Sequence, residues 1–311
     1  MRKEEKYFKW IDENIINIKN KTILLNGATG GIGSSLATYL SYLKNDLYLL
    51  VRNINEGNKL KEELERKFHN KIMIIYFDYL DENSIQNTID FVKNLANLDY
   101  FVNVSGIYHQ KYELIDKIEK TYLVNYFRPA YLISEILKIK PQTKIIVVSS
   151  LTSTTKLKRK KTLLQDQNSY LATLNNIKNK TKRYAVSKHL LSSYLLYLKE
   201  TNNSNITLSH PGIAVTKLFD KKNKAYNKLF YIFAPSIMKL IFMDSAKASL
   251  SILKALDCDY TPFKSRIGPR GLFHSWGYPK IYNLKKNLLN LDENRKIYNL
   301  TNKINSKWKQ L

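Results

Sequence analysis

Apolar residues along this chain follow two alternating patterns between Thr22 and His210. Residues 22–26, 47–51, 72–77, 100–104 and 144–148 are short, nearly continuous apolar runs. A strand without a polar face is covered on both sides, as in a parallel sheet sandwiched by helices. After the first run, Ile32, Leu36, Leu40 and Leu43 recur at helical spacing. Residues 55–70 read as a polar surface helix, 82–95 as a further helix and 112–139 as a long helical region. Strand and helix in alternation imply right-handed crossovers and a doubly wound α/β sheet. No repeat of solenoid period and no linker interrupts the chain, so a single domain over 1–311 is expected. Its core covers about 20–216, and a substrate lid with C-terminal helices covers about 217–311. Residues 281–311 read as a charged helical tail that packs on the domain or on a partner subunit.

Composition narrows the classes. The 311 residues are 44% hydrophobic, enough for a large core. With 10 Gly and 7 Pro, collagen-like and Pro/Gly-rich disordered classes are excluded. Cys258 is the sole cysteine, which excludes a disulfide framework and a cysteine-rich metal site. The five histidines, at 69, 109, 189, 210 and 274, show no metal-binding spacing, so no metal is expected. The opening Met1-Arg2-Lys3-Glu4-Glu5-Lys6 runs into mixed polar sequence, not the apolar stretch of a secretory signal, and a cytoplasmic setting is expected. The formal charge of +25 points toward nucleic acid or anionic membrane. The bases are spread over the length, however, and no helix-turn-helix, aromatic RNA-binding motif or zinc knuckle accompanies them. A nucleic-acid partner is therefore not expected.

The first apolar run ends in Asn26-Gly27-Ala28-Thr29-Gly30-Gly31-Ile32-Gly33. Glycines between a strand and a helix permit a tight turn and let the backbone approach a pyrophosphate. The helix N-terminus then offers free N–H groups to that anion. Further along come Asn103-Val104-Ser105-Gly106, Asn125, Ser149-Ser150, Tyr184-Ala185-Val186-Ser187-Lys188 and His210-Pro211-Gly212-Ile213 with Thr216. In that order, over about 22–216, the chain resembles the short-chain dehydrogenase/reductase family and its Rossmann fold. Asn26 stands where the family usually has Thr. Val104 and Ser105 depart from its Asn-Asn-Ala-Gly.

The resemblance implies a catalytic set of Asn125, Ser150, Tyr184 and Lys188. Tyr184 and Lys188 are four apart and share a helix face. Carbonyl reduction needs an acid beside the carbonyl oxygen. Tyrosine ionises near pH 10, and an adjacent ammonium lowers that value. Ser150 orients the oxygen, and Asn125 supports a water relay to Lys188. Expected cofactor contacts are Gly27, Thr29, Gly30, Gly31, Ile32 and Gly33 from the loop, Arg52 and Asn53 after the second run, and Asp78 and Tyr79 after the third. Asn103, Val104, Ser105 and Gly106 follow, then Tyr184, Lys188, Pro211, Gly212, Ile213 and Thr216. Arg52, without an acid beside it, favours NADP(H) over NAD(H), because a guanidinium matches the extra phosphate. Asp78 reads either as an adenine contact or as a helix N-cap.

Ser150 and Tyr184 are separated by a long segment, 151–183, which resembles the branch that includes retinol-dehydrogenase-like and protochlorophyllide-reductase-like enzymes. This segment carries Lys156, Lys158, Arg159, Lys160 and Lys161, with more bases over 178–183. Residues 229–243 form an apolar stretch shorter than the about 20 residues that span a bilayer. The stretch reads as a lid over an apolar substrate, or as an element dipped into an anionic membrane surface with the basic loops on its headgroups. The leading expectation is an NADP(H)-dependent oxidoreductase that interconverts a small or apolar carbonyl compound and its alcohol, with a homo-oligomer as a further expectation. A catalytically silent nucleotide-binding sensor or scaffold of the same fold stands beside it.

Overall fold

The computed structural model describes residues 3–154, 166–213, 243–258 and 264–309. Its centre is one eight-stranded sheet. The strands are β1 (Thr22–Asn26), β2 (Asp46–Val51), β3 (Ile72–Tyr76), β4 (Tyr100–Asn103), β7 (Lys144–Val148), β8 (Ile206–Ser209), β9 (Ser265–Pro269) and β10 (Pro279–Asn283). They lie in the order β10-β9-β8-β7-β4-β1-β2-β3, with all neighbours parallel except the antiparallel pair β9 and β10. The sequence order reverses between β1 and β4, and the carboxyl ends flanking such a switch point form a crevice. The doubly wound parallel sheet expected from the apolar runs is therefore observed.

The runs lack a polar face because each side of the sheet carries its own core. Leu24, Phe101, Ile145 and Val147 pack under α4 (Glu82–Asn94), α6 (Arg128–Ile139), α8 (Lys180–Asn202) and α10 (Leu291–Asn305). Ile23, Leu25, Val102 and Ile146 pack on the other face, under α1 (Lys3–Asn14), α2 (Gly31–Tyr42), α3 (Ile54–Phe68) and α9 (Ser245–Asp257). The remaining helix, α7 (Gln167–Asn175), is short and places buried Tyr170 in the first of these cores.

Three segments differ from the sequence expectation. The long helix over 112–139 begins only at residue 120. Before it, β5 (Leu114–Ile115) and β6 (Ile118–Glu119) form a hairpin closed by Asp116 and Lys117, both at positive φ. Two successive positive φ values define the tight turn whose twist suits a hairpin. The helix itself runs as α5 (Lys120–Tyr122), a wide π turn over Leu123–Phe127, and α6. Such turns recur at functional positions, and Asn125 lies inside this one. The tail from 281 opens as part of the edge strand β10, and only α10 is a long helix; it packs within the chain, where Tyr194 donates to Asn302 Oδ1 at 3.0 Å. The polar start of the chain forms α1, whose Tyr7 and Ile11 are buried, as are Ile15 and Ile18 just after it. The loop behind α1 is held by Asp257, which accepts from the backbone N–H of Ile16 and Asn17 at 2.7 and 2.8 Å.

Candidate active site

At the carboxyl end of β1 the glycines have distinct steric reasons. Gly27 has φ +86°, and a Cβ there would meet the Ser105 nitrogen at 2.9 Å. A Cβ on Gly33 would lie 2.0 Å from the Gly27 carbonyl oxygen. The turn thus closes only with bare backbone at both positions. No side chain caps α2 at Gly30, so the first N–H groups of that helix face a cleft of about 790 Å³. Unsatisfied N–H groups at a helix start form a site for phosphate. The cleft has the volume of a cofactor pocket, and its shape and donors fit a dinucleotide.

Its walls gather Gly27, Thr29, Gly30, Gly31, Ile32, Gly33, Arg52, Asp78, Tyr79, Val104, Ser105 and Gly106. Asn53 and Asn103 are expected contacts that serve beneath it instead. Asn53 caps α3 by accepting from the Glu56 N–H at 3.2 Å. The buried Asn103 Oδ1 accepts from Asn26 Nδ2 at 3.2 Å and from Ser105 Oγ at 3.0 Å. The substituted positions Asn26 and Ser105 thus tie β1 to β4 through side-chain hydrogen bonds. Asp78 is not the cap of α4, a role that Asp81 fills; it accepts from the Leu80 N–H at 2.9 Å and faces the cleft. Arg52 is exposed just past β2, with no ion pair among the described residues.

The four catalytic candidates converge beside this cleft. Tyr184 and Lys188 lie on α8, and Ser150, just past β7, lies beside the Tyr184 hydroxyl. Burial pushes Tyr184 above the ordinary tyrosine value, and the Ser150 hydroxyl opposes that rise. The expected lowering by Lys188 is not seen in the protein alone. The Lys188 Nζ stands 6.0 Å from the Tyr184 ring centroid and donates to the Val148 carbonyl at 2.9 Å. Burial also pushes its ammonium down to about 8, so it stays mostly charged at neutrality and loses that charge just above it. Asn125 Oδ1 accepts from the Ile107 N–H and its Nδ2 donates to the Ile107 carbonyl, both at 2.8 Å. This side chain also donates to Ser187 Oγ at 3.2 Å. It therefore clamps the strand exit to α8. A Cβ on Gly106 would press on Asn125 Oδ1 at 3.2 Å and Lys188 Nζ at 3.3 Å, so bare backbone lets both side chains close on it.

Pro211, Gly212 and Ile213 are not in the cleft wall; Ile213 donates its N–H to the Ser275 carbonyl at 2.8 Å, and Gly212 has φ +74°. Thr216, the basic run 156–161 and the apolar residues 229–242 lie outside the described residues. Of the second basic group, Arg183 is buried and its Nε pairs with Glu119 Oε1 at 3.0 Å, which removes it from any surface. Sequence reasoning missed Tyr108, His109, Gln110, Lys120 and Glu56 in the cleft wall. Tyr108 meets the Tyr184 ring edge-on, with centroids 4.8 Å apart. Tyr108, His109 and Gln110 lie in the unassigned stretch after Gly106, Lys120 reads as part of a long helix, and Glu56 as part of a polar surface helix. Among the described residues no cluster of His, Cys, Asp or Glu could hold a metal ion, and no helix is long and apolar enough to cross a membrane.

A parallel doubly wound sheet with a glycine cradle at its switch point defines the class of dinucleotide-binding α/β proteins. Residues 21–161 match the short chain dehydrogenase family model, so that part of the chain is similar to that family. It is 30% identical over 132 residues to an uncharacterized oxidoreductase of Schizosaccharomyces pombe, covering 42% of this chain and 39% of that one. An NADP-dependent 3-hydroxy acid dehydrogenase of the same yeast is 32% identical over 92 residues, covering 29% of this chain and 36% of that one. The chain thus aligns with well under half the length of these relatives. Among solved structures, an uncharacterized protein from Mycobacterium paratuberculosis shares the fold over 94% of this chain and 96% of its own, with a TM-score of 0.67 and 17% identity.

Proposed function

We propose that the protein is an oxidoreductase that interconverts a carbonyl and an alcohol with NADP(H). The observation that carries this reading is Tyr184 placed beside Ser150, with Lys188 one helical turn further along α8, at the mouth of a glycine-lined cleft. The bound nicotinamide supplies or accepts the hydride. Ser150 holds the substrate oxygen, and Tyr184 gives it a proton during reduction or takes one during oxidation. Lys188 stabilises the tyrosinate that reduction leaves behind. Asn125 keeps Ile107 and α8 in register, so the acid stays aimed at the oxygen. Arg52, unpaired among the described residues at the cleft edge, supports NADPH over NADH by the match of its guanidinium to a phosphate. The NADP dependence of the similar yeast 3-hydroxy acid dehydrogenase points the same way.

A panel of aldehydes and ketones with NADPH and with NADH, read by loss of reduced-nicotinamide absorbance, tests the reading. The expected result is NADPH-dependent turnover that falls about 100-fold or more in Tyr184→Phe. Turnover unaffected by that change overturns the mechanism, and equal use of NADH overturns the role of Arg52. Tight NADPH binding without turnover on any carbonyl would favour the silent sensor or scaffold.

A further inference from the structure

On the α8 side of the sheet, beyond Ser150, lies a second polar cluster that the proposed chemistry does not use. Its centre is Arg266 on β9, only 4% exposed. Ile267 beside it packs into the α9 core, so Arg266 and Gly268 face the opposite side, toward α8. The guanidinium has no carboxylate partner among the described residues. Its Nη1 makes two long contacts, both 3.4 Å, to the Ser150 carbonyl and to Ser153 Oγ, and its Nε has no partner. It stands 5.0 Å from the Tyr282 ring centroid, on the neighbouring strand β10.

Two further orphaned atoms converge here. His210, fully buried just past β8, uses Nδ1 to accept the Gly212 N–H at 3.1 Å and leaves Nε2 without a partner. The Tyr282 hydroxyl is also buried and unpaired. The point that a Cβ on Gly268 would occupy lies 2.3 Å from His210 Nε2 and 2.5 Å from the Tyr282 hydroxyl. Glycine at that position lets the two atoms approach one spot. His274 backs the group, its ring stacked on Tyr282 at 3.9 Å.

Buried polar atoms are costly without partners, and a buried cation without a counter-charge more so. Burial holds Arg266 down at about 10, and burial and the Arg266 charge hold His210 well below the ordinary histidine value. The imidazole is thus neutral, and with Nδ1 accepting from Gly212 its Nε2 carries the proton and can donate, which leaves one cation in the cluster. A single guanidinium with two neutral polar neighbours suits a monoanion with a planar pair of oxygens better than a phosphate dianion. We propose that Arg266, His210 and Tyr282 form a carboxylate subsite beside Ser150, so that the substrate pair is an oxo acid and its hydroxy acid. The proposal rests on the oxidoreductase reading above, and it adds the class of substrate. With its carbonyl between Ser150 and Tyr184, such a substrate extends past Ser150 and pairs its carboxylate with Arg266.

The test uses the full chain with NADPH and a ladder of oxo acids that differ in the number of methylenes between carbonyl and carboxylate. Each acid is run beside its methyl ester and beside the analogue carrying a phosphate ester. At the matching length the acid should show a KM about 10- to 100-fold below the ester, the worth of a charge-assisted hydrogen bond. Arg266→Gln should bring the acid-to-ester ratio close to one, and Tyr282→Phe should lower it partly. A second readout needs no turnover: the matching hydroxy acid should raise the Tm of the wild type and not of Arg266→Gln. Arg266→Met without ligand should keep or raise the Tm, because it removes an uncompensated buried charge.

Acids and esters used equally, with no stabilisation by the hydroxy acid, would overturn the subsite while leaving the oxidoreductase reading intact. A preference for the phosphate analogue overturns the carboxylate assignment. A marked fall in Tm for Arg266→Met assigns Arg266 to the scaffold and overturns the proposal. Failure of turnover on every carbonyl, with Arg266-dependent stabilisation by hydroxy acids retained, sinks the oxidoreductase reading and supports the subsite. Absence of both sinks both.

Discussion

Lys188 is the residue whose chemistry burial alters most directly. It sits below Gly106 and Asn125, donates to the Val148 carbonyl, and is pushed down to about 8 by loss of solvent. Below that pH it carries the charge proposed to steady a tyrosinate; above it the charge is lost. The kcat/KM for carbonyl reduction is therefore expected to fall as pH rises through about 8. Lys188→Arg, which stays charged, should move that limb to higher pH even where it lowers the rate. A limb left in place by the substitution would assign it to another group. The stability effect has the opposite sign. The unfolded chain holds the lysine proton more tightly, so burying Lys188 costs stability below about pH 8. That cost is relieved as pH rises from about 8 toward the ordinary lysine range. At this scale the sequence was legible where chain order carried the message, as for Ser150, Tyr184 and Lys188. It was silent on Arg266 and His210, which meet only because β8 and β9 are neighbours and Gly268 lacks a side chain.

Helix α8 carries both Tyr184 and Lys188, so whatever seats its first turn seats the proposed acid. Arg183 does this work. Its Nε pairs with Glu119 Oε1 at 3.0 Å, and its other nitrogens donate to the Lys178 and Gln110 carbonyls at 2.6 and 2.8 Å. Glu119 ends the β5–β6 hairpin and is fully buried. Removing one partner of a buried pair leaves the other charge uncompensated. Glu119→Gln is expected to cost about 3 kcal/mol, read as a lower urea midpoint at unchanged slope. It should also lower kcat more than it weakens NADPH binding, since Tyr184 follows Arg183 directly. A loss under about 1 kcal/mol would class the pair with ordinary surface contacts. This device was invisible in the sequence, because residues 112–119 carry enough apolar positions to read as helix. The choice between helix and hairpin was made by Asp116 and Lys117, neither a glycine, both taking positive φ. The five strands read as apolar runs were legible for the opposite reason. A strand buried on both faces, as β1, β4 and β7 are, cannot hide its pattern; β3 is a half-exposed edge strand legible only because its residues are apolar, and the edge strand β10 and the amphipathic α1 leave only partial patterns.

At the scale of the molecule, the net charge of +25 is an energetic fact before it is a functional one. Several cations serve inside the fold. Arg128 is buried against Glu82 at 2.5 Å and the Tyr79 carbonyl, Arg183 against Glu119, and Lys188 against Val148. Among the described residues, most of the other bases are Lys on the outside, and the ion pairs made there are largely short-range pairs along one helix, such as Lys61–Glu65 and Arg295–Asp292. Pairs of that kind contribute little, while the summed excess of like charge repels itself and favours the expanded chain. Added salt screens the repulsion within about a Debye length, near 8 Å at physiological ionic strength. The Tm is therefore expected to rise between low and physiological salt, by roughly 2–4 °C for each kcal/mol recovered. Sulfate and chloride at matched ionic strength separate screening from specific binding, because screening depends on ionic strength alone. A Tm that falls with salt would mean that attractive pairs outweigh the excess charge. A rise seen with sulfate at low concentration, absent with chloride and lost in Arg52→Ala, would trace the effect to the phosphate end of the cleft instead.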